Sequence, residues 1–339
     1  MRPFHAAAAV LLLLRPGPAD GLTTAYTEDL VLVQQNESTL EQTIRRTVVL
    51  DGIEVTVKGG DDIVVSFHRS RTQTDHFLEV DDGRPVKLRR VFGEISQDRN
   101  IALGKSGDEN EETMTGVVEG LTLLIEVDED DQTTATVEDG EVEDRYLEHF
   151  LVSYETDLLA PPGEAEEGDS WELGTEALER LFGLLPSPTY FEPDREQGEV
   201  DIEEVFREAT REAAELEGEV TWNATEERDG LSCALLTFEM SMETSDFDAS
   251  AFAPAMFGMR DDVALEDATA QVVFETEGSF WFAIEKERPV ALKSEGEGTV
   301  TLSVHTASPH DGDRTVTFGL EIEQEESGTD TWSAPYDED

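Results

Sequence analysis

The stretch from Val272 to Ile284, VVFETEGSFWFAI, decides the reading of the fold. Val272, Phe274, Phe280, Phe282 and Ile284 share one parity, while Glu275, Glu277 and Ser279 share the other. A period of two sustained this long is the pattern of a strand with one buried face and one wet face. The same alternation recurs outward in both directions. Val300, Leu302 and Val304, then Val316, Phe318, Leu320 and Ile322, follow it. Ile53, Val55 and Val57, Ile63, Val65 and Phe67, and Leu121, Leu123, Ile125 and Val127 precede it. Residues 132–137 are placed to partner the last of these.

Turn chemistry joins the runs. Asp81-Asp82-Gly83 separates the apolar runs 77–80 and 86–91, and Arg228-Asp229-Gly230 separates 220–224 from 231–242. Asp-Gly between alternating segments is a hairpin signal, because both residues tolerate positive φ. Gly59-Gly60-Asp61-Asp62 marks another turn, and residues 104–113 read as an exposed loop.

Helical spacing is confined to the middle. Leu147, Phe150, Leu151, Tyr154 and Leu158 fall at i, i+3, i+4, i+7 and i+11, and Pro161-Pro162-Gly163 ends them. Thr175 is placed to cap a short helix carrying Leu178, Leu181 and Phe182. Ile202, Val205, Phe206, Ala209, Ala213 and Leu216 form an amphipathic stripe, with a capping box at Asp201 and Glu204 and a stop at Gly218. Residues 244–265 lack periodicity and predict a long loop or lid. The expected fold class is therefore α+β: large curved antiparallel β-sheets with two or three central helices. The expected division is a signal peptide over 1–19, an N-terminal β-rich half over 20–140, and a helical and linker segment over 141–217. A C-terminal β-rich half over 218–325 and an acidic mobile tail over 326–339 complete it.

Charge narrows the function. The chain has 339 residues, 79 acidic and 24 basic, for a net charge of -55, and a single cysteine. Such a surface repels a polyanion, which argues against a nucleic-acid partner. One cysteine cannot staple the chain internally. No apolar run approaches the roughly 20 residues of a spanning helix, so the sequence predicts that the chain is not an integral membrane protein. Five lysines against 19 arginines, with abundant carboxylates, fit a surface adapted to salt, which screens like-charge repulsion. The distribution is uneven. Residues 40–105 hold 11 acids and 11 bases, whereas 106–145 hold 15 acids and one base.

The first residues predict export. Arg2 precedes an apolar run from Ala6 to Leu14, and Gly17-Pro18-Ala19 offers cleavage after Ala19. Cleavage removes Arg2 and Arg15 and takes the charge from -55 to -57. The expected location is periplasmic or extracellular.

Aligning Arg84 with Arg288 superposes RPVKL on RPVAL and suggests an internal repeat of two hairpins, hence duplicated sheets. The Leu158–Pro162 stretch followed by Gly168-Asp169-Ser170-Trp171, and the later SFWFAIEKERPVAL from Ser279 to Leu292, resemble segments of uncharacterised exported β-rich proteins of bacterial envelopes, planctomycete-like in character. The resemblance covers about residues 115–305. It implies an extracytoplasmic, mostly β protein and brings no known activity with it.

Catalytic signatures are absent: there is no Gly-x-Ser-x-Gly elbow, no His-Glu-x-x-His and no phosphate-binding loop. Cys233 lies within an apolar run and reads as a small core residue. The aromatic candidates for a ligand are Trp171, between the acidic linker and a short helix, and Trp281 and Phe282 in the long strand. The metal candidates are Asp128, Asp130 and Asp131, since hard cations take several oxygen ligands. The leading expectation is an exported, non-enzymatic binding or structural module of the envelope or extracellular space, holding an apolar ligand between sheet and helices or meeting an envelope protein. It needs no cofactor. The alternatives are a hydrolase-type enzyme with its site under residues 244–265, and a calcium-dependent module.

Overall fold

A computed structural model describes residues 22, 24–50, 53–54, 62–103, 108–128, 130–192, 202–257, 259, 265–308 and 311–334. The expected signal peptide, Val55 and Val57, Gly59, Gly60 and Asp61 of the expected Gly-Gly-Asp-Asp turn, and the Asp201 cap lie outside these residues.

The strands are β1 (Val31–Leu50), β2 (Ile53–Glu54), β3 (Ile63–Asp81), β4 (Arg84–Leu103), β5 (Asp108–Thr115), β6 (Thr122–Val127) and β7 (Thr133–Asp139). After a connector come β8 (Ser170–Glu172), β9 (Ala214–Arg228), β10 (Leu231–Thr244), β11 (Phe247–Asp248), β12 (Leu265–Ala283), β13 (Arg288–Ser308) and β14 (Asp311–Ser333). The helices are α1 (Thr175–Leu181), α2 (Ile202–Ala213) and α3 (Ala253–Met256).

Among the described residues all 14 strands belong to one sheet, in the order β7-β6-β4-β3-β1-β14-β13-β12-β10-β9-β8, with β2 paired to β1, β5 to β4 and β11 to β12. Every pairing is antiparallel. β1 and β14 pair over 18 positions and weld the two ends of the chain together. This corrects the expected α+β class. The protein is nearly all antiparallel β, and the two halves are one continuous sheet rather than duplicated sheets around central helices. The two Arg-Pro motifs do open the second strand of a hairpin, at β4 and β13.

The Asp-Gly turns form as expected. Asp82-Gly83 and Asp229-Gly230 are two-residue loops with φ of 47° and 79°, and 52° and 77°, the doubly positive geometry that suits the strand twist. The helix expected over 147–158 does not form. A short 3-10 turn precedes that segment at Asp144–Tyr146 and another closes it at Glu155–Leu159. Between them Phe150, Val152 and Tyr154 are buried while Leu151 and Ser153 are only half-buried. The true period there is two, and tertiary packing supplies the partners that a helix would have offered. Likewise α2 ends at Ala213, and Leu216 belongs to the inward row of β9, where Glu215, Glu217 and Glu219 alternate outward. Helical and strand periods coincide over those few residues, and pairing with β10 decides between them. Much of the exposed loop expected over 104–113 is strand as well, since β5 pairs with the end of β4.

One contiguous core lies on the inward face of the sheet, under the connector 141–192 and the helices. Phe92 packs with Phe150 and Tyr190, Phe182 meets Phe274 edge-on at 6.1 Å, and Phe206 meets Phe252 at 5.3 Å. Glycine makes room for inward rings: a Cβ on Gly278 would run into the Phe238 ring, and one on Gly298 into Phe274. The described part of the segment expected to be a loop or lid is docked through residues 247–252, with β11 paired to β12 and Phe252 fully buried. Residues Glu326–Ser333, assigned by sequence to a mobile tail, lie in β14, and Trp332 is buried.

Candidate functional site

The residues singled out from sequence do not converge. Trp171 sits on β8 opposite Val220, its ring against the core and its Nε1 buried without a partner. Trp281 and Phe282 are neighbours on one strand and therefore point to opposite faces. Phe282 is buried beside Phe280, whereas Trp281 packs with Cys233, Ala283 and Val290 on the other face. There Arg228 stacks over the Trp281 ring at 4.0 Å and Glu226 accepts from its Nε1. Asp128, Asp130 and Asp131 form the β6–β7 turn, where Asp128 Oδ1 accepts from the amides of Asp130 and Gln132 at 2.9 Å. Among the described residues no three His, Cys, Asp or Glu side chains are grouped to hold a metal ion. The space between sheet and connector is largely filled. A cavity of about 20 Å³ separates Leu159 and Leu181 from Phe238, Phe274 and Leu292, roughly the room for one water. It offers no groove for an apolar ligand. In the described part of 244–265, Phe247 and Phe252 pack on each other and on Phe206 of α2 and extend the core.

Polar chemistry gathers instead on the inward face of β14, β1, β3 and β4. Asp75 and Arg90 are cross-strand partners and fully buried, joined by two hydrogen bonds of 2.7 and 2.8 Å. Burial works against the Arg90 charge, but Asp75 more than offsets it, so the Arg90 pKa is raised. Gln73 donates to Asp75 at 3.2 Å, and Gln34 donates to Asp330 at 2.8 Å. Burial raises the pKa of Asp330, against the opposing pull of Arg71. Arg71 stacks on the Tyr190 ring at 4.6 Å. Two residues of the connector continue this polar layer. Asp157 accepts from Thr24 Oγ1 at 2.6 Å and from the Tyr26 hydroxyl at 2.5 Å, and burial pushes its pKa up to about 6. The Tyr26 hydroxyl in turn accepts from the Tyr154 amide at 2.8 Å, so the N-terminal segment is tied to the connector. Further along β14, burial raises Glu326 to about 8, with Arg69 pulling the other way. Sequence reading missed this layer because inward Gln, Arg and Asp on a strand look like outward ones until register is known.

The outward face carries the opposite pattern. Glu172, Glu219, Glu239, Glu277 and Glu295 are successive cross-strand partners on β8, β9, β10, β12 and β13. Glu275, Glu297, Glu325 and Glu41 form a second row on β12, β13, β14 and β1. All nine are exposed. Residues of both rows also border one open cavity of about 2050 Å³, together with the inward Leu40, Phe67, Met240 and Glu326. Its lining holds 14 carboxylates against Arg99 and His68. Like charges directly opposite on neighbouring strands repel. Lys293 relieves one end of the first row by pairing with Glu295 at 2.5 Å.

No family model matches the chain, and no curated protein matches it. Among solved structures it is similar to the outer membrane protein OprG from Pseudomonas aeruginosa, at 7% identity and a TM-score of 0.21, covering 93% of this chain and 100% of that one. A Pseudomonas aeruginosa FadL homologue gives 7% identity and a TM-score of 0.19, covering 90% of each chain. The outer membrane protease OmpT from Escherichia coli gives 8% and 0.17, covering 92% of this chain and 99% of that one. Likeness at this level carries no argument about what this chain does. The expectation that the chain is not an integral membrane protein is nevertheless corrected. It rested on the lack of an apolar helix, and barrels cross with strands. No described helix is long and apolar enough to span, and that criterion says nothing about a 14-stranded antiparallel sheet.

Proposed function

We propose that this is an exported, non-enzymatic binding module that engages a polycationic partner through the two glutamate rows on its outward face. The reading is carried by the register: five and four glutamates stand directly opposite one another on successive strands. Neighbouring strands lie about 4.8 Å apart, so each row is a line of carboxylates at that spacing. Such a line suits an extended polyamine or a lysine-rich segment better than a single hard cation, which needs several oxygens converging on one point. A module of this kind belongs in the envelope or extracellular space, with the leader at residues 1–19 as its route there.

The test is calorimetric titration of spermine and of a lysine oligomer into the full chain, at low and at high sodium chloride. Saturable binding that weakens steeply with salt is expected. Combined Glu239→Gln, Glu277→Gln and Glu295→Gln substitution removes three exposed charges and is expected to weaken it at least tenfold. Absence of saturable binding, or equal binding by the triple variant, overturns the reading.

A further inference from the structure

Three buried carboxyls meet where the connector rests on the sheet. Glu326 lies on the inward face of β14 and borders the small cavity under Leu159 and Leu181, with Phe238, Phe274 and Leu292 as further walls. Its Oε2 is buried without a hydrogen-bond partner. Asp330, on the same face of β14, shares a small cavity with Tyr154, Glu155 and Thr156 of the connector. Asp157 belongs to the connector itself and accepts from Thr24 and Tyr26. A carboxylate in such a place gives up its water, so burial favours the neutral acid. Burial raises Asp157 to about 6 and Glu326 to about 8, and it raises Asp330.

The charges facing these groups do not reverse that preference. Arg69 of β3 pulls Glu326 down and Arg71 of β3 pulls Asp330 down, while Glu203 of α2 acts on Arg69. Gln34 and Asn36 of β1 hydrogen-bond to Asp330. Asp75 and Arg90 neutralise each other, and Glu155 makes an interaction of its own. Tyr26 and Tyr154 stay neutral, because burial raises both phenols well above 10. Around Glu326, the neighbours Leu40 of β1, Met240 of β10, Phe274 of β12 and Leu181 of α1 bring no charge. Glu295 of β13 also borders the cavity, but its row faces outward and it pairs with Lys293.

Backbone pairing decides which contact yields when these acids ionise. β14 is held on both sides, by β1 and by β13. Among the described residues no backbone–backbone hydrogen bond joins 155–160 or 175–182 to the sheet, so Leu159 and Leu181 meet it through side chains. We propose that residues 154–182 form a pH-operated clamp, held shut on the apolar inner face of β10, β12 and β13 in acid and released as the pH rises and Asp157, Glu326 and Asp330 gain charges that need water. The sign follows from linkage: a carboxyl raised by burial favours the closed form fully below its ordinary value and loses that contribution as pH rises to its raised value. That window runs from 3.8 to about 6 for Asp157 and from 4.5 to about 8 for Glu326. The inference stands apart from the glutamate rows, which lie on the outward face.

The experiment is amide hydrogen exchange of the full chain, read by mass spectrometry from pH 5 to pH 9, with and without sub-denaturing urea, and expressed relative to the intrinsic exchange rate at each pH. Protection of peptides from 154–182 is expected to fall about tenfold per pH unit between pH 6 and pH 8, where Asp157 is already ionised and Glu326 still titrates. That exchange should be insensitive to the urea, because lifting the connector exposes far less surface than unfolding the sheet. Peptides from β13 should stay better protected throughout. Glu326→Gln keeps the shape without the titration and is expected to remove the tenfold per unit. Glu326→Leu should do the same and carries the test if the glutamine variant does not fold, with a circular-dichroism spectrum of each as the check. Histidine also changes charge in this window, but His149 of the connector is retained in both variants and cannot produce the difference. Protection that does not change with pH, or a fall that a folded variant keeps in full, overturns the proposal. So does exchange of 154–182 in step with β13 and with the same response to urea, which means unfolding of the whole sheet.

Discussion

Where β9, β10, β12 and β13 face inward they present Val220, Leu236, Phe238, Phe274, Phe280 and Leu292, all buried. Where β14, β1, β3 and β4 face inward they present Asp330, Gln34, Gln73, Asp75 and Arg90 beside the buried rings of Phe77 and Phe92. Both walls belong to the same sheet and both alternate. The first gains stability from area removed from water, about 25 cal/mol per Å² of apolar surface. The second gains little from area and depends on pairing: each buried polar group is tolerable only while its partner stays in place. One wall tolerates loss of a methyl group and fails gradually, while the other fails when one member is removed.

Substitutions can break that contrast. Arg90→Met leaves the Asp75 carboxylate buried and unpaired and is expected to cost about 3–5 kcal/mol in urea unfolding. The double change Arg90→Met with Asp75→Leu should recover much of that loss, because no charge then remains buried. If the double variant is as unstable as the single one, the polar wall is not stabilised by pairing. On the apolar wall Leu236→Ala is expected to cost about 2–5 kcal/mol, and no partner deletion should rescue it.

The N-terminal tie gives a pH signature of intermediate size. Burial raises the Asp157 carboxyl from 3.8 to about 6 in the folded protein, so folding favours its protonated form. Its contribution to stability is therefore full below pH 3.8 and is lost as pH rises through about 6, at roughly 1.4 kcal/mol per pH unit between those two values. Unfolding measured from pH 4 to pH 7 should show this decline added to the one that Glu326, raised to about 8, contributes, and Asp157→Asn should make the profile shallower between pH 4 and pH 6. A wild-type profile that rises across that window would contradict the assignment. Gly278→Ala tests the glycine beneath the Phe238 ring, where the new Cβ would also crowd the Lys293 carbonyl. The expected loss is about 1–3 kcal/mol from overpacking.

The outward glutamate rows supply the smallest effect. Glu277→Gln removes one exposed charge flanked by two others, and is expected to raise stability by about 0.2–1 kcal/mol at low salt. That gain should shrink as sodium chloride rises and screens the row. A gain that persists in molar salt would mean that repulsion along the row is not its source.

Much of the strand content was legible. The alternation of 272–284 and the Asp-Gly turns locate β12 and the two hairpins, because side-chain period and positive φ are local properties. The connector was not legible, because Leu147, Phe150, Leu151, Tyr154 and Leu158 satisfy a helical period by spacing alone, while the competing period of two spans only Phe150, Val152 and Tyr154. The polar layer carried no signal at all. Gln34, Gln73, Asp75 and Asp330 show no local sign of facing inward, and pairing brings Asp330 next to Gln34 across 296 residues of chain.

The sequence by itself determined the acidity, the alternation and the turns, since composition, pleat and backbone torsion need no distant partner. Tertiary structure alone decided that the strands join into one sheet through β1 and β14, which polar residues are buried, and that the glutamates stand in rows. The reason is register. A shift of one residue in any pairing would move every side chain of that strand to the opposite face, and no short stretch of chain records which register its neighbour will take.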